Sequence, residues 1–406
     1  MSYDIVVFGA TSFVGQILCR HMVERHGTDG ELKWAIAGRN EAKLDQVASD
    51  TGAHVPRIVA DADDDRAIAA MVTSTKLVIS TVGPYALYGS KLVGAVVDAG
   101  VDYVDLTGEP QWQQRMIDAH HERAIETGAR IVHACGFDSI PSDLGTWFLQ
   151  HRAVERFGVP CNRVRLGVKA MKGGASGGTI ASVMNLIDEV SSDAELRKML
   201  TNPYALAPSD ARRGPHGSGP KQPNVTMPEF DKGLDSWQAP FVMAGTNTKV
   251  VFRTHALLDY AWGDDFTYGE AMLTGDGTAG RAKAFVMAGA IGGFMGAAWL
   301  GPVRKVLGRV LPEPGEGPSD EKQEAGFFDL LLHGTTPAGD ELTVRITGDK
   351  DPGYGSTAKM LAESAVCLHG RSTDEVAGGF HTPAIALGDL GIGSLVASAG
   401  LTFEVV

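Results

Sequence analysis

The chain is 406 residues long, 44% apolar and 21% charged, with a formal net charge of −13. Length and composition fit a soluble globular enzyme of about two or three domains, and the acidic balance excludes the basic face that nucleic acid requires. Cys19, Cys135, Cys161 and Cys367 show neither C-x-x-C nor His/Cys ligand spacing, so no metal site and no disulfide framework is expected, and a reducing cytoplasm fits.

The first element predicted is a strand, Asp4 to Phe8, running into Gly9-Ala10-Thr11-Ser12-Phe13-Val14-Gly15 and then an amphipathic helix over Gln16 to Glu24. The apolar run is short and has no basic segment before it, so it does not read as a signal peptide. A strand, a bare turn and a helix N-terminus present free backbone N–H groups to an anion, which is how βαβ units hold a dinucleotide pyrophosphate. Gly9, Ala10, Thr11, Ser12, Phe13, Val14 and Gly15 are therefore candidate cofactor-binding residues. The second strand, Lys33 to Ala37, ends in Gly38-Arg39-Asn40. An NAD site places an acid here for the ribose 2′-hydroxyl, whereas an arginine suits a 2′-phosphate, so NADP(H) is favoured over NAD(H), with Arg39 and Asn40 as contacts. The alternative is an exposed arginine in a turn.

A helix over Glu41 to Thr51, a strand over Val55 to Ala60 and a helix over Asp65 to Thr73 follow, with Asp61 placed for adenine contacts. The strand Leu77 to Thr81 closes in Val82-Gly83-Pro84-Tyr85-Ala86-Leu87-Tyr88, adding Thr81, Val82 and Gly83 to the cofactor candidates. Helices at Lys91 to Ala99 and Gln111 to Thr127 alternate with strands at Tyr103 to Leu106 and Arg130 to Ala134. Such alternation predicts a parallel, doubly wound α/β sheet with ligands at the carboxyl ends of its strands. After the last of these comes Gly136-Phe137-Asp138-Ser139-Ile140-Pro141-Ser142-Asp143. Ser142 or Asp143 can cap a helix beginning near Leu144, while Asp138, beside a glycine at a strand end, is a candidate for chemistry.

From Asn162 the texture changes. A half-exposed strand is expected over Arg163 to Ala170, then a glycine-rich loop, Lys172 to Thr179, and a helix over Ile180 to Val190. Asn202 to Glu229 holds repeated prolines and reads as a long loop that could serve as a lid. Strands are expected at Val250 to Thr254 and Phe266 to Leu273, flanking a short aromatic helix at Leu257 to Trp262. Ala284 to Val303 carries no charge and has three readings: a core or oligomer helix, a lipid-contacting surface segment, or a membrane span. Pro312 to Pro318 is a turn-rich linker, Gly326 to His333 and Glu341 to Gly348 form a hairpin, and Thr357 to Leu368 is a helix. The domain expectation is thus 1–145 as the dinucleotide domain, 146–350 as an inserted α+β substrate domain, and 351–406 as C-terminal helices returning to the first domain.

The segments Phe8 to Gly15, Ala37 to Asn40, Val82 to Tyr85, Asp105 to Glu109, Gly136 to Asp143 and Pro314 to Ser319, in that order, resemble those of the saccharopine dehydrogenase-like oxidoreductases, and within them the trans-acting enoyl reductases of mycobacteria. The family's middle turn glycine is Ser12 here, which is tolerable if its φ stays negative. The resemblance implies a Rossmann domain with an inserted second domain. It implies NADPH-dependent reduction of a carbon–carbon double bond in complex lipid or glycolipid synthesis, on a long acyl or polyketide-derived substrate and with a polyketide synthase as partner. A homo-oligomer and a peripheral position at the plasma membrane or lipid bodies are compatible with it. In such a reaction hydride adds to the β-carbon, and the enolate then needs hydrogen-bond donors and a proton at the α-carbon. Tyr85 is the first candidate donor and Tyr88 the second, each with aromatic packing as its alternative role; Asp138 would position a water or the nicotinamide amide. Other readings are an imine or ketone reductase on the same fold, or a catalytically silent membrane-associated scaffold.

Overall fold

The computed structural model describes residues 1–173, 177–298, 317 and 319–406. Two seven-stranded sheets organise it. The first contains β1 (Tyr3–Phe8), β2 (Trp34–Gly38), β3 (Arg57–Val59), β4 (Thr75–Ser80), β5 (Asp102–Asp105), β6 (Arg130–Val132) and, from far down the chain, β13 (Gly379–His381). Their order is β13-β6-β5-β4-β1-β2-β3, and every neighbouring pair is parallel. Ile5, Val6 and Val7 of β1 have no solvent exposure, because helices cover both faces and the strand reads as an uninterrupted apolar run. Those helices include α1 (Phe13–His26), α2 (Glu41–Thr51), α3 (Asp65–Thr73), α4 (Tyr85–Tyr88), α5 (Ser90–Ala99) and α6 (Pro110–Thr127). The chain winds outward from β1 through β2 and β3, then restarts at β4 on the other side. The gap between the β1 and β4 carboxyl ends is therefore the switch point where ligands collect.

The long helix α7 (Ile140–Phe157) leads into the second sheet, formed by β7 (Arg163–Lys172), β8 (Glu229–Asp231), β9 (Ser236–Pro240), β10 (Thr267–Leu273), β11 (Phe327–Thr335), β12 (Glu341–Gly348) and β14 (Leu401–Val405). The order is β14-β12-β11-β7-β10-β9-β8. β7 and β10 are parallel, and the other neighbours antiparallel. α7 lies against this sheet: a Cβ at Gly145 would sit 2.4 Å from Ile346 Cδ1, so the glycine is what lets the helix approach. The strict alternation of exposure along β12 follows from one covered face and one open one. The remaining α-helices among the described residues are α8 (Gly177–Ser192), α9 (Ala194–Thr201), α10 (Ala244–Leu257), α11 (Gly277–Ala298), α12 (Asp320–Glu324), α13 (Gly355–His369) and α14 (Pro383–Ser398). The expected α/β class with a second, mixed-sheet unit is what the chain adopts.

Several local expectations change. Val250 to Thr254 is helical, within α10, where Val250, Val251 and Phe252 are buried; β-branched residues enclosed by packing on all sides override their strand preference. The helix expected near Leu144 begins at Ile140, so Ser142 and Asp143 lie inside its first turn and neither is its N-cap. Asn202 to Glu229 holds two 3-10 turns and no α-helix. Its first part is fastened rather than loose: Ala205, Leu206 and Ala207 are buried, and the buried Arg253 guanidinium donates to the Leu206 and Phe380 carbonyls at 2.6 Å each.

Of Ala284 to Val303, the part up to Ala298 belongs to α11, and the rest lies outside the described residues, as do Gly174 to Ser176 of the glycine-rich loop and all of Pro312 to Pro318 except Gly317. Ala284 is buried, whereas Val286 is 73% exposed. Among the described residues no helix is long and apolar enough to cross a membrane.

Candidate active site

The first strand end is built around Gly9, whose φ of +92° suits glycine; a Cβ there would lie 2.6 Å from Thr81 Oγ1. At Gly15 a Cβ would stand 2.3 Å from the Gly9 carbonyl oxygen, so both glycines keep the turn and α1 in contact. Between them Ser12 has φ −71° and ψ 162°, ordinary extended backbone, which is why serine replaces glycine there without strain. Its hydroxyl is not held for a ligand. It caps α1 by accepting from Gly15 N at 2.9 Å, and it pairs with Thr81 Oγ1 at 2.9 Å. Thr81 Oγ1 in turn donates to the Gly9 carbonyl at 2.8 Å. The carboxyl ends of β1 and β4 are thereby locked side by side.

The backbone N–H groups of Gly9 and Ala10 donate to Ala37 O and that of Ser12 to Gly9 O. Those of Thr11, Phe13 and Val14 have no protein acceptor among the described residues. Three open donors at the start of a helix, over a turn that any side chain at Gly9 or Gly15 would fill, fit a pyrophosphate. At the end of β2, Arg39 is exposed and its guanidinium has no hydrogen bond or ion pair with a described residue. Asn40 Oδ1 caps α2 through Lys43 N at 3.0 Å, and Asp61 Oδ1 accepts from Asp63 N at 3.0 Å, turning the chain after β3.

Val82 and Gly83 follow β4 and lead through the cis Gly83–Pro84 peptide into α4. Tyr85 is turned inward, 4% exposed. Its hydroxyl donates to the Ser80 carbonyl at 2.9 Å, its ring packs against Trp112, and burial with the nearby Asp105 carboxylate pushes its pKa well up. As a donor to a substrate it would first have to give up the Ser80 bond; packing is the role its geometry displays. Tyr88 is 41% exposed on the next turn. Glu109 was not singled out from the sequence, yet it organises this corner: buried, it accepts from Tyr85 N, Ala86 N and Ser182 Oγ, each at 2.9 Å. Burial raises its pKa despite these donors.

Asp138 lies beyond β6, only partly exposed, and close against the strand end after β5: a Cβ on Gly108 would be 2.9 Å from its Oδ2. No described residue donates a hydrogen bond to its carboxyl. Burial, with the Glu270 carboxylate adding repulsion, pushes its pKa up from 3.8 to about 7. Next to it in sequence begins a buried polar chain that runs from Ser139 through α10 to β10: Ser139 Oγ donates to Asn247 Oδ1 at 3.1 Å, Asn247 Nδ2 to Glu270 Oε2 at 2.9 Å, and Tyr268 OH to Glu270 Oε1 at 2.8 Å. Thr246 Oγ1 on the same α10 donates to the Gly108 carbonyl at 3.2 Å. Asp143 is a fastener. Its Oδ1 takes the Thr254 hydroxyl and its Oδ2 the Ala384 N–H. Among the described residues no cluster of His, Cys, Asp and Glu is arranged to hold a metal ion.

Residues 5–132 match the family model of the saccharopine dehydrogenase NADP binding domain. Over 401 residues, 95% of this chain and 94% of the relative, the sequence is 37% identical to a Mycobacterium tuberculosis protein named as a candidate trans-acting enoyl reductase. The chain belongs to the saccharopine dehydrogenase-like oxidoreductases. It is also 36% identical, over 402 residues and 94% of the relative's length, to the trans-acting enoyl reductase of Mycobacterium bovis BCG. Among solved structures, apo saccharopine dehydrogenase (L-Glu forming) from Saccharomyces cerevisiae covers all of both chains with a TM-score of 0.54 at 13% identity, a likeness of fold. The open donors after β1 lie within the segment that matches this NADP binding domain.

Proposed function

We propose that this oxidoreductase reduces a carbon–carbon double bond of an acyl substrate in complex lipid or glycolipid synthesis, as a trans-acting enoyl reductase working on a long, polyketide-derived chain supplied by a polyketide synthase. The near full-length likeness to proteins of that name supports the reaction type. The observation that carries it at the site is Asp138, a carboxyl with a pKa of about 7 at the β5 and β6 strand ends. NADPH, when bound, supplies the hydride. The chain's own residues do the rest. Thr11, Phe13 and Val14 N–H hold the pyrophosphate, and Arg39 takes the 2′-phosphate. Asp138, half protonated near neutrality, holds the proton destined for the α-carbon. Asn247 and Tyr268 keep Glu270 in place behind it, and that carboxylate keeps Asp138 from ionising early. Tyr88, exposed beside the β4 end, is the further candidate donor for the developing enolate.

The test is NADPH consumption against a panel of conjugated enoyl thioesters, ketones and amino-dicarboxylates. Turnover on enoyl thioesters with a saturated product supports the reading; turnover confined to ketones or imines sinks it. Lipid profiling of a strain lacking the gene should show an unsaturated precursor accumulating.

A further inference from the structure

A cleft of about 610 Å³ opens between α6, α9 and the loop after α9. Its floor is built rather than accidental. Tyr204, 7% exposed, donates its hydroxyl to Pro220 O at 3.2 Å and accepts from Gln222 Nε2 at 2.7 Å, and Asn202 Nδ2 holds the Arg212 carbonyl at 2.9 Å. Its volume falls within the range of small-molecule sites. Its walls carry Lys198, Arg213 and Lys221, whose cationic groups have no ion pair or hydrogen bond with a described residue. The fourth cation, Arg212, is spent on Asp118, and Glu195 is the single carboxylate in the lining among the described residues. On a chain of net charge −13, three cations left without partners around one pocket concentrate positive potential where a small anion would enter.

The cleft also stands next to the strand ends. Gln114, one of its lining residues, bonds Ala205 O at 2.9 Å and follows Glu109 by five positions on the same helix, roughly 7–8 Å of rise. Across this short distance Glu109 fixes the turn after β4.

We propose that this cleft binds a phosphate-bearing small molecule, with Lys198, Arg213 and Lys221 taking the phosphate. The ligand is either a free phosphorylated metabolite or, if the enoyl reductase reading holds, the phosphopantetheine end of an acyl thioester reaching from the cleft toward the strand ends. The experiment is calorimetric titration of the full chain, saturated with NADPH so that the dinucleotide cradle is filled, with pyrophosphate and with coenzyme A. Three proteins are compared: the unmodified chain, Lys198→Ala/Arg213→Ala/Lys221→Ala, and Arg66→Ala/Lys232→Ala/Lys283→Ala as a charge-matched variant on other surfaces. All six side chains are exposed, so folding is preserved and melting temperatures check it.

The expected result is saturable binding of at least one probe, weakened tenfold or more by the first triple variant and less than twofold by the second. Pyrophosphate alone identifies a free phosphate ligand, and tighter coenzyme A binding the carrier arm. No binding of either probe at millimolar concentration, or equal losses in both variants, overturns the proposal. Enoyl turnover is read separately on the same variants, so loss of the reductase reading leaves this outcome interpretable.

Discussion

Arg39→Ala separates the two nicotinamide cofactors. Arg39 is exposed at the end of β2 and bonded to no described residue, so its removal takes no internal contact away, and the melting temperature without cofactor should stay within a degree or so. A guanidinium on a 2′-phosphate is a charge-assisted hydrogen bond, for which about 1.5–3 kcal/mol is the usual worth. At about 1.4 kcal/mol per tenfold, the NADPH dissociation constant should rise roughly 10- to 150-fold. The NADH constant should hardly move, because that cofactor presents only a hydroxyl there. Fluorescence titration of the reduced cofactors measures both directly. The cofactor-induced rise in melting temperature should shrink for NADPH alone, since that stabilisation follows the ratio of ligand to its dissociation constant. Equal weakening for the two cofactors, or none for either, would refute the assignment of Arg39.

Gly15→Ala places a Cβ 2.3 Å from the Gly9 carbonyl; α1 must move off the turn, and NADPH binding should fall by more than tenfold in the same titration. Asp138→Asn should leave NADPH affinity within twofold while lowering turnover by about 10²- to 10⁴-fold, the usual scale of a lost general acid; in the unmodified enzyme activity should decline above about pH 7 as the carboxyl ionises. The stability sign is opposite to that of a salt-bridged acid. With a folded pKa raised from 3.8 to about 7, Asp138 holds its proton better when folded, so stability falls as pH rises through that window, by at most about 4 kcal/mol, and the asparagine variant should flatten that decline in denaturant melts. Glu363 behaves the other way. Burial alone would raise its pKa, but hydrogen bonds from His21 and Ser394, with His26 3.7 Å away, bring it to about 2, so its contribution is present above pH 4.5 and lost between there and about pH 2; Glu363→Gln should remove that acid limb.

The first sheet was legible because the sequence repeats one message: a short apolar run, a polar or glycine-bearing strand end, an amphipathic helix. Even Ser12 could be read, since a negative φ was the condition for it and −71° is what it adopts. The second sheet was less so. Val250-Val251-Phe252 has strand chemistry, and only burial on every side makes it helix. β13 is three residues long, and nothing in Gly379-Phe380-His381 names β6 as its neighbour. At the site, Asp138 drew notice through its place at a strand end. Glu270, whose charge adds to burial in raising the proton affinity of Asp138, and Asn247, which bonds Glu270, come from elements more than a hundred residues away, and no local pattern marks them. Tyr85 illustrates the reverse: its place after the β4 end makes it the first candidate donor in sequence, yet a carbonyl five residues back claims its hydroxyl.

β13 pairs with β6 at one edge of the parallel sheet, and β14 pairs with β12 at one edge of the mixed sheet. They are separated only by α14, whose first turn is tied to α7 through Asp143 and Ala384 N. The last stretch of chain is thus a rivet through both halves. Hinge opening between the sheets would load both edge strands through α14, and Gly388, where the helix departs from helical geometry (φ 53°, ψ −144°), is the point on it that could yield. Any movement of the Gly9 side of the site against the Glu270 side is thereby coupled to this last stretch of chain.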